Sequence, residues 1–113
     1  MAVYSKQLLS GSTSGKPIAV AAVATPGTIM HTAHATSLDE VWLYAVNTSG
    51  TSVKLTIEFG GVTNTENIEL TITGESGLVL VIPGLIMTGS NVIRAFAGTT
   101  NVISVSGYVN RIT

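Results

Sequence analysis

The chain has no cysteine, so disulfides and thiolate metal centres are excluded. Charge is also scarce: charged residues fill 10% of the 113 positions, against roughly 25% in ordinary soluble domains. The 5 basic residues, Lys6, Lys16, Lys54, Arg94 and Arg111, are scattered, and the formal net charge is -1. Neither nucleic acid nor an anionic membrane has an electrostatic reason to bind. With 1 Trp, 3 Tyr and 2 Phe there is little to line a sugar cleft. The longest apolar run, Ile18 to Ala24, is far short of the roughly 20 residues that span a bilayer. The opening MAVYSKQLLSGSTSGK lacks the basic-then-apolar build of a secretion signal, so synthesis in the cytoplasm is expected.

Aliphatic residues, Ala, Gly, Ser and Thr take the place of charge, a composition too apolar for disorder. The strongest pattern runs from Val41 to Gly61, VWLYAVNTSGTSVKLTIEFGG. Val53, Leu55, Ile57 and Phe59 alternate with Lys54, Thr56 and Glu58, which predicts a strand with one core face and one wet face. Val41 to Val46 is apolar throughout, which predicts a strand covered on both faces. Asn47 to Ser52 supplies turn residues, so the two strands are expected to form a hairpin.

Further strands are predicted over Pro17 to Thr25, Thr28 to Ala35, Ile68 to Ile72, Leu78 to Ile82, Asn91 to Ala97 and Val102 to Ile112. Leu78 to Ile82 reads as buried on both faces and broken by Pro83-Gly84. Gly107 marks a bulge or a close backbone contact. Turn signals recur about every 8–12 residues with no convincing helix, which predicts an all-β chain: one antiparallel β-sandwich of jelly-roll or related Greek-key type, with about eight or nine strands. Residues 17–113 form that domain. Residues 1–16 read either as a first strand with its loop, or as an N-terminal arm and flexible linker that docks on a neighbour through Val3, Tyr4, Leu8 and Leu9.

Candidate chemistry is thin. His31 and His34, with Asp39 and Glu40 nearby, could in principle hold a metal, but positions three apart on a strand face opposite ways. They read instead as solvent or interface histidines. Glu58 and Glu69 read as solvated charges on outward faces, without the walled cleft a pair of glycosidase carboxylates needs. No serine lies in a nucleophile elbow, and Gly60-Gly61 lacks the Lys-Ser/Thr of a phosphate loop. The residues point to no catalytic group, cofactor or metal, and the chain is not expected to be an enzyme. Trp42 and Tyr44 share a face of their strand, where they either cap the core or meet a partner.

Three stretches, VWLYAVNTSGTSVKLTIEFGG, SGLVLVIPGLIM and the ending ISVSGYVNRIT, resemble small structural proteins of tailed bacteriophages and related prophage regions. The likeness covers most of Glu40 to Thr113, and its motifs are structural. By size it is nearest to capsid decoration, or cement, proteins. The resemblance implies a homotrimer on the outer capsid surface, with the major capsid protein as partner and the shell reinforced. The partner contacts expected are Val3, Tyr4, Leu8, Leu9, Trp42 and Tyr44. Another virion part (tail, neck, baseplate or head fibre) and a carbohydrate-binding β-sandwich module, with glycan on Trp42 or Tyr44, are the other readings.

Overall fold

Apolar residues at every second position make pleated surfaces with one oily face, and two such faces leave water by packing together. The computed structural model describes residues 2–113 and shows two antiparallel sheets arranged in that way. The strands are β1 (Tyr4–Leu8), β2 (Ile18–Ala19), β3 (Thr28–Thr32), β4 (Leu38–Asn47), β5 (Val53–Phe59), β6 (Asn67–Ile72), β7 (Val79–Met87), β8 (Val92–Ala97) and β9 (Ile103–Ile112). A single 3-10 turn, Asn64–Glu66, is the only helical element among the described residues.

The first sheet has the order β1-β9-β4-β7, with β2 pairing β9; the second has the order β3-β8-β5-β6. Among strands consecutive in the chain, only β5 and β6 pair with each other. Every other connection from β2 onward crosses between the sheets. These two interleaved orders are those of a jelly roll. The expected antiparallel β-sandwich is therefore the fold of this chain. Its core joins both inner faces, with Leu43, Ile82, Ile103 and Val105 from the first sheet packed with Leu55, Ile57, Ile72 and Ile93 from the second.

Several expectations need correction. Val41 to Gly61 is not a hairpin, because β4 and β5 belong to different sheets. Asn47, fully buried at the end of β4, holds the crossing. Its Nδ2 donates to the carbonyls of Thr51 at 2.8 Å and Ile72 at 2.9 Å, and its Oδ1 accepts Ser49 N–H at 3.0 Å and Ser49 Oγ–H at 2.8 Å. Local turn chemistry was read correctly, but the same residues serve a step between sheets. Gly74 lies so close to the Ser49–Thr51 backbone that a Cβ there would collide with it, so the β4–β5 and β6–β7 crossings pack on each other.

Of the two readings of the N-terminal segment, residues 2–16 take the first, a strand with its loop. Tyr4 to Leu8 pairs with Tyr108 to Ile112, Leu9 lies in the core, and Gly11 N–H donates to the Met30 carbonyl at 3.0 Å. Of the strand expected over Pro17 to Thr25, only Ile18–Ala19 is formed. Pro83-Gly84 does not break β7, which runs through them as an edge strand, where a missing N–H is tolerated. Leu78, just before it, and Leu80 on its outer face are exposed rather than buried on both faces. Gly107 makes the close backbone contact expected of it: a Cβ would strike the Trp42 carbonyl oxygen on the adjacent strand.

Replacing Asn47 with alanine leaves the buried Ile72 carbonyl without its donor and frees the crossing. We expect Asn47→Ala to cost about 2 kcal/mol in urea unfolding. An unchanged midpoint would show that the crossing does not depend on this side chain.

Candidate interaction surface

Polar groups inside the sandwich are closed upon one another. Asp39, at the inner face of β4, is fully buried. It takes Arg111 Nε at 2.7 Å and Nη2 at 3.0 Å, His31 Nε2 at 2.8 Å and the His34 backbone N–H at 3.2 Å. His31 is buried too, and its Nδ1 accepts Ser10 N–H at 3.0 Å, so the ring proton sits on Nε2 and points to Asp39. The expectation of a solvent or interface histidine is therefore wrong for His31. His34 lies beyond the end of β3, where its Nδ1 accepts the N–H groups of Thr36 and Ser37. The cluster ties the β1–β2 loop, β3, β4 and β9 together. No group of three or more His, Cys, Asp or Glu among the described residues is placed to hold a metal.

Glu58 corrects a second expectation. It points away from the core yet is buried, because the loop before β3 folds over it: Thr25 Oγ1 donates at 2.5 Å and Gly27 N–H at 2.6 Å. Lys54 pairs with Glu69, at 3.2 Å, rather than with Glu58. The outer face of the second sheet thus carries Lys54, Glu58, Glu69 and Arg94 beside Thr56 and Thr71. Asn64, Asn67 and Glu69 line a shallow dip at its edge.

The outer face of the first sheet has the opposite character. Directly paired residues share a face, so the register reads off its rows. Leu8, Tyr108, Trp42 and Pro83 form one row across four strands. Lys6, Asn110, Glu40 and Ile86 form the next, followed by Tyr4, Ile112 and Leu38. On the other side, Ser106, Tyr44 and Leu80 make a further row. Five of the exposed large apolar side chains lie here: Tyr4 at 64%, Leu8 at 58%, Ile86 at 53%, Leu80 at 45% and Leu38 at 40%.

At the centre, Trp42 and Tyr108 stack with centroids 6.4 Å apart and planes 13° from parallel. The indole leans over β7, where Gly84 takes φ +85° and a Cβ would come within 2.9 Å of the ring. Trp42 Nε1 donates to Glu40 at 2.8 Å, and Lys6 Nζ sits 5.0 Å above the Tyr108 ring. Both charges on this face are therefore folded down onto aromatics.

Of the residues expected to contact a partner, Tyr4, Leu8, Trp42 and Tyr44 come together on this one face. Val3 is exposed just before β1, while Leu9 is buried in its own core and unavailable. The sequence reading missed Tyr108, Leu38, Leu80 and Ile86. Tyr108 has the same alternation signal as Trp42, but only the β4–β9 register places them side by side. This platform on a jelly-roll sandwich is what can be compared with known proteins: no known family, curated protein or solved structure matches the chain.

The Asp39 cluster makes a pH prediction. Burial alone would raise the Asp39 carboxyl, but hydrogen bonds from Arg111, His31 and the His34 backbone outweigh it and lower its pKa from 3.8 to about 2. A depressed carboxylate contributes stability that is complete above its unfolded value and lost as pH falls through the folded one. That shift corresponds to about 2 kcal/mol, lost between about pH 5 and pH 2. Urea midpoints across this window should therefore fall more steeply for the native chain than for Asp39→Asn, and parallel curves would contradict the assignment.

Proposed function

We propose that the chain is a structural component of a tailed-phage virion, of the capsid decoration kind, which works by burying surface rather than by chemistry. The observation that carries this reading is the outer face of the first sheet. Apolar and aromatic side chains fill most of its rows, around one row that holds Lys6, Asn110 and Glu40, while polar clusters elsewhere are consumed in internal contacts. An exposed apolar face of this extent, on a chain with so few charges, marks a protein–protein interface. The resemblance of Val41 to Gly61 and of the C-terminal strand to phage structural proteins supplies the virion context. Jelly rolls recur in viral capsid domains, which supports the reading by analogy only. Many copies on a shell turn modest single contacts into durable reinforcement.

A carbohydrate-binding module is the second reading, favoured by the parallel Trp42–Tyr108 pair with Tyr44 in the next row. The two readings give different results with the native protein. A decoration protein is expected to cosediment saturably with capsids that lack it and to raise the temperature at which they open. Absence of binding would remove the capsid reading. Quenching of the single tryptophan by soluble glycans, without capsid binding, would favour the module instead.

A further inference from the structure

The β1–β2 loop is fastened to β3 through a buried ring whose hydrogen bonding depends on a single proton. We propose that His31 is a latch that a proton releases. The neutral ring holds Ser10 and Gly11 over the free edge of β3, and protonation at Nδ1 lets them go.

β3 is the outer strand of the second sheet, so its far side has no strand neighbour. The loop covers that side. Gly11 N–H donates to the Met30 carbonyl at 3.0 Å, and Ser10 Oγ accepts the Thr32 N–H at 2.7 Å. The backbones lie so close that a Cβ on Gly11 would sit 2.6 Å from the Ile29 carbonyl oxygen. Leu9, buried in the core, anchors the segment just before it. Covering of this kind keeps a sheet edge from pairing with another chain.

The third contact is the conditional one. Ser10 N–H donates to His31 Nδ1 at 3.0 Å, so Nδ1 carries no proton of its own. The proton of the neutral ring is then on Nε2, 2.8 Å from Asp39 Oδ2. A second proton has only Nδ1 to occupy, where it sets two N–H groups head to head. Turning the ring brings no relief, because a protonated imidazole donates from both nitrogens. The new charge is also poorly placed. Arg111 already holds the same carboxylate, at 2.7 and 3.0 Å, so two cations would share one buried anion. Release of Ser10 removes the clash of donors and lets water reach the ring.

The surroundings leave His31 as the group that responds. The ring meets Asp39 from β4, Arg111 from β9 behind that carboxylate, and the apolar Ile93 paired with it on β8. Arg94 and Glu58 lie on the other face of the sheet. The His34 ring is engaged with Thr36 and Ser37 instead. Asp39, with its pKa lowered to about 2, keeps its charge through the range in which histidines ordinarily titrate. The closed loop needs the neutral ring, so its stability is complete at high pH and is lost as pH falls. Acid therefore acts in two steps: the loop opens first on an intact sandwich, and the Asp39 cluster gives way later.

Amide hydrogen exchange on the native protein between about pH 8 and pH 4 tests the latch, with protection corrected for the intrinsic pH dependence of exchange. One proton is coupled to opening, so protection at Gly11 and Thr32 should fall about tenfold per pH unit once the His31 ring begins to protonate. The ring's own NMR signals follow that step. Amides at the centre of the β4–β9 ladder should keep their protection. Level protection at Gly11 and Thr32 while the ring titrates overturns the proposal. So does a loss in step with the ladder, or a ring that takes up no proton before the sandwich unfolds. His31→Gln offers Ser10 an acceptor and Asp39 a donor without a titrating group, so its loop should stay protected where the native loop opens. The native pH dependence persisting in this variant assigns the effect elsewhere and overturns the latch. Should the variant not fold or not close its loop, the native titration decides alone.

Discussion

The pairing of β4 with β9 is the contact from which the other features follow. It is an uninterrupted ladder from Leu38 opposite Ile112 to Asn47 opposite Ile103, at the centre of the first sheet. Gly107 lets the two backbones approach where a side chain would strike the Trp42 carbonyl. Because pleat alternation has a period of two, this one register decides both faces together. It sends Val41, Leu43, Ala45, Val105 and Val109 into the core, and Leu38, Trp42, Tyr44, Tyr108 and Ile112 outward.

The same ladder aligns the polar interior. Asp39 stands opposite Arg111, so the carboxylate and guanidinium meet inside the rim of the sandwich, and His31 reaches the carboxylate from the second sheet. At the other end of β4, Asn47 uses both sides of its amide to hold the crossing into β5. The two ends are thus secured by side-chain hydrogen bonding, and the middle by apolar packing. A chain with 10% charged residues uses several of them inside or against aromatics, which leaves the outer face of the first sheet nearly free of charge. That distribution is what makes association the natural reading of the molecule.

Much of the fold was legible in one dimension. Alternation in Val53 to Phe59, turn residues at regular spacing and Gly107 in a strand all report local constraints, and each has its counterpart in the structure. Legibility stopped where a decision depended on distant chain. Asn47 to Ser52 has the residues of a hairpin loop, yet Ile72 and Glu75 draw it into a crossing. Glu58 alternates like a solvated residue, but the Thr25–Gly27 loop covers it. Asp39 stands near His31 in sequence, but nothing local shows that the two will meet inside the sandwich with Arg111 on the same carboxylate.

The sequence by itself determined that the chain would be β throughout, that its strands would have one oily face, and that Trp42 and Tyr44 would lie together. Those are consequences of residue type and a two-residue period, which need no knowledge of neighbours. Only the tertiary structure decided which strands share a sheet. That choice joined Trp42 to Tyr108, placed Lys6 and Glu40 on opposite sides of β9, and took Leu9 out of reach. The physical reason is that sheet pairing is non-local: register between residues more than 50 positions apart is set by packing of the whole core.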